Sequence, residues 1–239
     1  MTAVILAAGV GTRLRPLTAT FPKCLLPVAG VTLLERTLGA LAGAVDRGVI
    51  VTGFRDELIR SAAASLRLPF PLTFVQNSRY EETNNNYSLW LAGPECAGEE
   101  ILLLDSDILF HRGILGRLRA AAQENVLALR ESGATGAEEM KVVAAPDGRV
   151  ASIGKGIPAG AAAGESLGIA RLSAQATGRL FEALGRRKGR NEFYEASFQE
   201  IIDGGTALYA VSCGDLPCIE IDTVEDLHEA ERLAVEAGL

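Results

Sequence analysis

The chain has only two histidines and four cysteines among its 239 residues. Cys24, Cys96, Cys213 and Cys218 are scattered, and the 213/218 spacing with so few histidines is not a zinc-ligand pattern. Buried free thiols are the expected state, which suits a reducing compartment. Positive charge is short as well: 23 Lys and Arg against 30 Asp and Glu leave −7 at pH 7, which argues against a nucleic-acid or anionic-membrane partner. An anionic substrate must then be drawn by local positive charge rather than by the field of the whole chain. No apolar run approaches the ~20 residues needed to span a bilayer. The opening Met-Thr-Ala-Val-Ile-Leu has no basic segment and enters a strand at once, so no signal peptide and no membrane association are expected. A cytoplasmic location is the expectation. There is no internal repeat and no low-complexity linker, and aromatics make up only 5% of the residues.

What is present reads as a globular α/β chain. An apolar fraction of 48% and a charged fraction of 22% are ordinary for a folded protein, and this length buries about three quarters of its unfolded surface. In the first half, strand signals at 3–8, 48–53, 72–75 and 101–104 alternate with helical spacing at 33–44, 56–66, 87–91 and 113–124. Such alternation predicts a mostly parallel sheet with helices on both faces, and ligands at the carboxyl ends of its strands. The second half changes character. Residues 140–145 and 149–153 flank Pro146-Asp147-Gly148 as a hairpin, followed by a strand at 165–172 and a helix at 174–184. Further on lie a helix at 194–202, a strand at 207–212 and a closing helix at 223–237, with Gly160 to Gly164 as a loop. The basic run from Gly185 to Arg190 reads either as an exposed turn or as a lid over an acidic ligand. The expected fold is one Rossmann-like domain over 1–239, a mostly parallel mixed sheet flanked by helices, with a nucleotide-binding half at 1–125 and an acceptor-binding half at 126–239.

The most informative segment is VILAAGVGTRLRPLTATFPKCLLPV at residues 4–28. An aliphatic strand, buried on both faces, runs into a loop holding Gly9 and Gly11 and ending in Arg13. Pro22 and Lys23 follow. Glycines let such a loop turn tightly and leave its N–H groups free for an anion. Arg13 adds a fork of donors for phosphate oxygens and Lys23 a point charge. The loop is not G-x-G-x-x-G, because position 14 is Leu, and no Gly-Lys-Ser/Thr makes it a Walker loop. The whole string resembles the L-A-A-G-x-G-T-R-L-x-P-L-T-x-x-x-P-K-x-L-x-P-V signature of the nucleotidyltransferases that activate sugar phosphates and related phosphate alcohols, with every fixed position matched.

Two acidic strings follow the same logic. Asp105-Ser106-Asp107 stands directly after the aliphatic strand at 101–104. Carboxylates there are positioned to hold Mg²⁺, which takes one or two carboxylates along with phosphate oxygens, although one aspartate could be spent on the turn. Glu220-Ile221-Asp222-Thr223-Val224-Glu225-Asp226-Leu227 precedes the last helix, where Asp222 would be an ordinary N-cap. That string also resembles the D-T-x-E-D-L ending of the same family, in which the matching aspartate is the second metal ligand. The resemblance therefore assigns Mg²⁺ to Asp107 and Asp222, with Asp105 in the nucleotide-binding set. It implies attack on the α-phosphorus of a nucleoside triphosphate with loss of pyrophosphate. Lys23 would sit on the α-phosphate and acceptor, and Arg13 on the β- and γ-phosphates. Leu6, Ala7, Ala8, Gly9, Gly11 and Thr12 would complete the nucleotide loop.

Asn84-Asn85-Asn86-Tyr87-Ser88-Leu89 is similar to the N-N-x-Y-S-L pattern of phosphocholine and 2-aminoethylphosphonate cytidylyltransferases. Capping of a helix would explain one asparagine and not three. The resemblance implies CTP, with Asn85, Ser88 and the backbone of Ala7 and Ala8 around the cytosine. Matches at Glu139 to Val142, Ile153 to Lys155, Glu165 to Ile169 and Tyr194 to Ala196 extend the likeness over the full chain. By it, Lys155 and Lys141 would meet the acceptor phosphate. Glu165 and Glu195 would suit a cationic amine, with Tyr194 as a cation–π face, or would bind hydroxyls of an inositol or sugar phosphate. Scarce aromatics favour an aminoalkyl phosphonate or another small polar alcohol phosphate over phosphocholine. The expected partners are CTP and a small phosphate or phosphonate, with a homodimer left open. The rivals are a sugar-1-phosphate or inositol-phosphate nucleotidyltransferase, a glycosyltransferase with an Asp-x-Asp after a strand, and a catalytically silent ligand sensor. The Gly-x-Gly-Thr-Arg loop argues against the glycosyltransferase, and retention of Arg13, Lys23, Asp107 and Asp222 argues against the sensor.

Overall fold

Six consecutive buried residues, Thr2 to Ala7, form the strand around which the rest is laid. Its odd residues, Ala3, Ile5 and Ala7, pack into one apolar cluster and its even residues, Val4 and Leu6, into another on the opposite face. A strand apolar on both sides needs helices above and below it, and the chain supplies both layers. The computed structural model describes residues 1–131, 136 and 138–239.

In chain order the elements are β1 (Thr2–Ala7), β2 (Pro27–Val28), β3 (Val31–Thr32), α1 (Leu33–Leu41), β4 (Arg47–Thr52), α2 (Asp56–Ala64), β5 (Leu72–Gln76), α3 (Asn85–Leu91), α4 (Gly93–Cys96), β6 (Ile101–Asp105), β7 (Ile108–Phe110), α5 (Gly113–Ala120), β8 (Val126–Arg130), β9 (Lys141–Ala144), β10 (Val150–Gly154), β11 (Gly164–Leu172), α6 (Ala174–Arg187), α7 (Glu195–Asp203), β12 (Tyr209–Ser212), β13 (Cys218–Glu220) and α8 (Val224–Ala237). The central sheet runs β10-β9-β11-β6-β1-β4-β5, with β8 paired to β11 and β12 to β8. Strands β6, β1, β4 and β5 are parallel, whereas β11 is antiparallel to β6, β8 and β9. Helices α1, α2 and α5 bury Leu34, Leu38, Ile59, Ile114 and Leu118 on the face of Ile5. Helices α3, α6 and α7 bury Leu89, Leu180, Phe181, Phe198 and Ile201 on the face of Val4. Each such side chain contributes about 1.5–3 kcal/mol on leaving water.

Two pairings position the site. In the β1–β6 register Leu6 lies opposite Asp105, so the glycine loop and the acidic turn leave the sheet side by side. Strand β13 pairs with β7, and the Ile221 N–H donates to the Asp107 carbonyl at 3.0 Å. That short ribbon brings Asp222 beside Asp107 across more than a hundred residues. A third apolar cluster of Leu14, Leu26, Leu33, Leu109, Ile221, Ala230 and Ala234 fixes α8 against the end of the loop.

Several expectations need correction. Helix α5 stops at Ala120 rather than running to Glu124, and α1 stops at Leu41. The basic run from Gly185 is an exposed turn only at 188–190. Arg186 and Arg187 belong to the last turn of α6, and both pair with Glu200. The N-cap of α8 is Thr223, whose hydroxyl accepts from the Asp226 N–H in a reciprocal capping box, so Asp222 is not used as a cap. Gly164 opens β11, and the loop before it holds a helical turn at Ala159–Ala161. No helix among the described residues is long and apolar enough to cross a membrane.

Candidate active site

The loop after β1 carries its burden at one glycine. Gly11 has φ +63, and a Cβ there would come within 3.2 Å of Lys23 Cβ, a conformation and a contact that disfavour any side chain. Gly9 has neither constraint, and a Cβ on it would meet open space. The turn is pinned by the Thr18 hydroxyl, which donates to the Gly11 carbonyl at 2.6 Å. The N–H groups of Gly9, Val10 and Gly11 have no partner among the described residues. Gly9 and Gly11 line a cavity of about 740 Å³ together with Leu6, Ala7, Ala8, Thr12, Arg13 and Lys23.

Lys23 sits in a one-turn helix, Lys23–Leu25, with its side chain 11% exposed. Its Nζ donates to Asp107 Oδ2 and to Asp222 Oδ1, each at 2.7 Å. Burial works to lower the Lys23 pKa, but the two carboxylates more than offset it and the net direction is up. Asp222 is the mirror case. Burial raises it, yet Lys23 and Arg13 hold it below the usual carboxylate range, and Arg13 Nη2 lies 2.7 Å from its Oδ2.

Asp107, Glu220 and Asp222 each offer an oxygen, and these atoms lie within 4.8 Å of one another. Glu220 is an exposed residue that lines the cavity. Enclosure there, and then the charges of Asp107 and Asp222, push it up to about 7. Asp105 is different. It is half-buried, accepts from the Tyr194 hydroxyl at 3.0 Å, and sits where a Cβ on Gly168 (φ +68) would come within 2.6 Å of its Oδ2. Burial, then Asp107, Glu195 and Glu220, hold its carboxyl well above the ordinary range. Of the pair in Asp105-Ser106-Asp107, only Asp107 belongs to the acidic cluster.

The asparagine run is divided among three tasks. Asn84 caps α3, Asn85 Oδ1 accepts from the Tyr194 N–H at 2.9 Å, and Asn86 donates to the Arg187 carbonyl. Asn85 and Ser88 do line the cavity. On the far side stand Lys155, Glu165, Glu195 and Phe193. Two expected acceptor residues are not in that wall. Lys141 is buried and donates to the Lys155 carbonyl at 3.0 Å, which fixes the end of β10. Tyr194 is buried under the floor, edge-on to Phe198, so the exposed aromatic ring is Phe193, with Lys155 Nζ 4.5 Å from its centre. Glu165 is paired with Arg130 at 3.2 Å. Glu195 is buried with Oε2 lacking any hydrogen bond, and burial pushes it up to about 7 against the opposing pull of its own backbone N–H, Tyr194 and Lys155.

Sequence reasoning missed Glu220, Arg130, Asn77 and Phe193. Glu220 stands two residues before Asp222 on an extended segment, which puts both side chains on one face, and that spacing was a usable signal. Arg130 lies on β8, an element without a clear pattern, and carried none.

The family model of the MobA-like NTP transferase domain matches residues 3–236. The CMP-5'-(3-aminopropyl)phosphonate synthase of Streptomyces rubellomurinus is 39% identical over 127 residues, 53% of this chain and 20% of that protein. The choline-phosphate cytidylyltransferase of Haemophilus influenzae is 36% identical over 115 residues, 48% of this chain and 47% of the relative. The chain thus spans less than half the length of these curated relatives. Among solved structures, the CTP:phosphocholine cytidylyltransferase of Streptococcus pneumoniae shares the fold, with a TM-score of 0.74 at 24% identity over 97% of this chain and 98% of that one.

Proposed function

The chain belongs to the MobA-like NTP transferase family, and on that premise we propose that it transfers CMP from CTP to a small acceptor bearing a phosphate or phosphonate, with release of pyrophosphate. The observation that carries the reading is Lys23 held between Asp107 and Asp222, beside Arg13 and beneath a loop of unpaired N–H groups.

Residues 1–125 take the nucleotide in this reading, and residues 126–239 supply much of the acceptor wall. The loop N–H groups and Arg13 bind the triphosphate oxygens, and Lys23 turns from the two aspartates to the α-phosphate and the incoming oxygen. Fixed donors aimed at developing charge are the main catalytic term for such a transfer. The acceptor's phosphate or phosphonate oxygen is already ionised at neutral pH, so the attack needs no general base. It forms the new P–O bond at the α-phosphorus as the bond to pyrophosphate breaks. A clustered set of hard carboxylate oxygens fits Mg²⁺, and Asp107, Asp222 and Glu220 would hold it. When bound, the ion supplies positive charge to the triphosphate.

For the acceptor, Glu195 is the carboxylate suited to a cationic amine, because Glu165 is already paired with Arg130. Lys155, 3.3 Å from Glu138, and Arg130 would turn from their carboxylates to the anionic end. Phe193 and Tyr80 are the aromatic residues among the described lining, too few for a cage, which favours an aminoalkyl phosphonate over phosphocholine. The test is pyrophosphate release with Mg²⁺ across CTP, UTP, GTP, ATP and dTTP, against 2-aminoethylphosphonate, phosphocholine, phosphoethanolamine, inositol 1-phosphate, glycerol 3-phosphate and glucose 1-phosphate. Release with CTP and an aminoalkyl acceptor is expected. Release with dTTP or UTP and glucose 1-phosphate would keep the reaction class and overturn base and acceptor.

A further inference from the structure

Asn77 follows β5 directly and is 1% exposed, yet it forms part of the cavity wall beside Ser88. Its amide orientation is fixed by chemistry. The Arg79 backbone N–H, which can only donate, reaches Asn77 Oδ1 at 2.9 Å. The oxygen therefore points there, and both Nδ2 protons are left for Thr83 Oγ1 at 3.1 Å and Ser88 Oγ at 3.0 Å. Thr83 passes its own proton to the Arg79 carbonyl at 2.8 Å, so that hydroxyl is committed both ways. Ser88 also receives a hydrogen bond from Asn77, but its proton has no partner among the described residues. Only 4% exposed and on the cavity wall, it has a proton to give and one open direction to give it.

We propose that Asn77 is a positioning residue that fixes the Ser88 hydroxyl as a hydrogen-bond donor toward the nucleobase and so selects cytosine. This rests on the CTP reading above. Cytosine presents O2 and N3 side by side, both acceptors, so a fixed donor finds an acceptor at either. Uracil and thymine present O2 alone there, because their N3 carries a proton. A hydroxyl free to rotate would accept from that N3–H and lose the distinction.

The test is calorimetric titration of CTP and UTP, each with Mg²⁺, into the full chain, wild type and variants, which needs no turnover. In Asn77→Asp the new carboxylate only accepts, so it draws the Ser88 proton away from the cavity. The Kd for CTP is expected to rise about tenfold, with the preference for CTP over UTP falling by a similar factor. Asn77→Ala adds no charge, frees the hydroxyl, and is expected to narrow the preference in the same direction. It serves also if the aspartate variant does not fold. In a Ser88→Ala background both changes should have almost no further effect, because Asn77 acts through that hydroxyl. Equal effects with and without the Ser88 hydroxyl would overturn the proposal, as would an unchanged preference. A wild type that binds CTP with this coupling but releases no pyrophosphate would fail the reaction and leave Asn77's role standing.

Discussion

Replacing Glu195 with glutamine should stabilise the protein and weaken its function together. The Glu195 carboxyl is buried with one oxygen unpartnered, and burial pushes its pKa up to about 7 from an ordinary 4.5. The folded state therefore keeps a proton that the unfolded chain releases between those values. Stability falls as pH rises through that window, and the penalty is complete above about pH 7. The gap corresponds to about 3 kcal/mol at pH 8 and to below about 1 kcal/mol at pH 5. Glutamine carries no charge and escapes it, while burial of its amide adds an offset that does not vary with pH. For a chain of this size, 1 kcal/mol shifts the melting temperature by about 2–4 °C. The Tm difference between Glu195→Gln and wild type should thus be larger at pH 8 than at pH 5 by about 5–9 °C, measured by thermal unfolding in matched buffers. The same substitution should raise KM for 2-aminoethylphosphonate, since in the proposed reading the ionised carboxylate would be the partner of the amine. A Tm difference equal at both pH values would refute the electrostatic argument, and an unchanged KM would remove Glu195 from the acceptor site.

Two further outcomes separate the roles of the acidic residues. Lys23→Met should lower pyrophosphate release by at least about a hundredfold, yet tighten Mn²⁺ binding in the absence of nucleotide, because the lysine no longer occupies Asp107 Oδ2 and Asp222 Oδ1; weaker Mn²⁺ binding by calorimetry would contradict this. Asp107→Asn should lose turnover by a similar factor, while Asp105→Asn keeps most of it, because Asp105 is turned to Tyr194; equal losses in steady-state rates would overturn that division of roles.

The strand–loop–arginine–lysine segment was legible because its constraints are local: an aliphatic strand, a positive-φ glycine and a nearby cation are all written within residues 4–28. The parallel half of the sheet was legible for the same reason, since each strand there is a short, mainly apolar run. Strands β7 and β13 were not, because three residues give no period to read, and it is their pairing that brings Glu220 and Asp222 to Asp107. Acceptor residues were the least legible. Lys141, Tyr194 and Glu195 lie on the same elements that the chain order suggested, but whether a side chain faces the cavity or the core depends on register and packing. At Tyr194, one residue from the exposed Phe193, the packing of α7 decided it.

The charge balance of the cavity ties these parts to one kind of chemistry. Its lining holds nine carboxyl side chains against four cationic ones, in a chain already at −7. Neither the global field nor the local one draws a triphosphate unaided, and Lys23 and Arg13 are both engaged by Asp222. Positive charge brought to the Asp107–Glu220–Asp222 cluster would ease the binding of an anion there. The carboxylates beyond that cluster fall mainly on the second half of the chain: Glu138, Glu139, Glu165 and Glu195, met by Arg130 and Lys155. A dianionic acceptor alone would worsen this imbalance. In the proposed reading, an acceptor with a cationic amine at one end and a phosphonate or phosphate at the other would satisfy both sets, the amine at Glu195 and the anion at Lys155 and Arg130. For that reason the acidity of the wall favours a zwitterionic acceptor over a sugar phosphate.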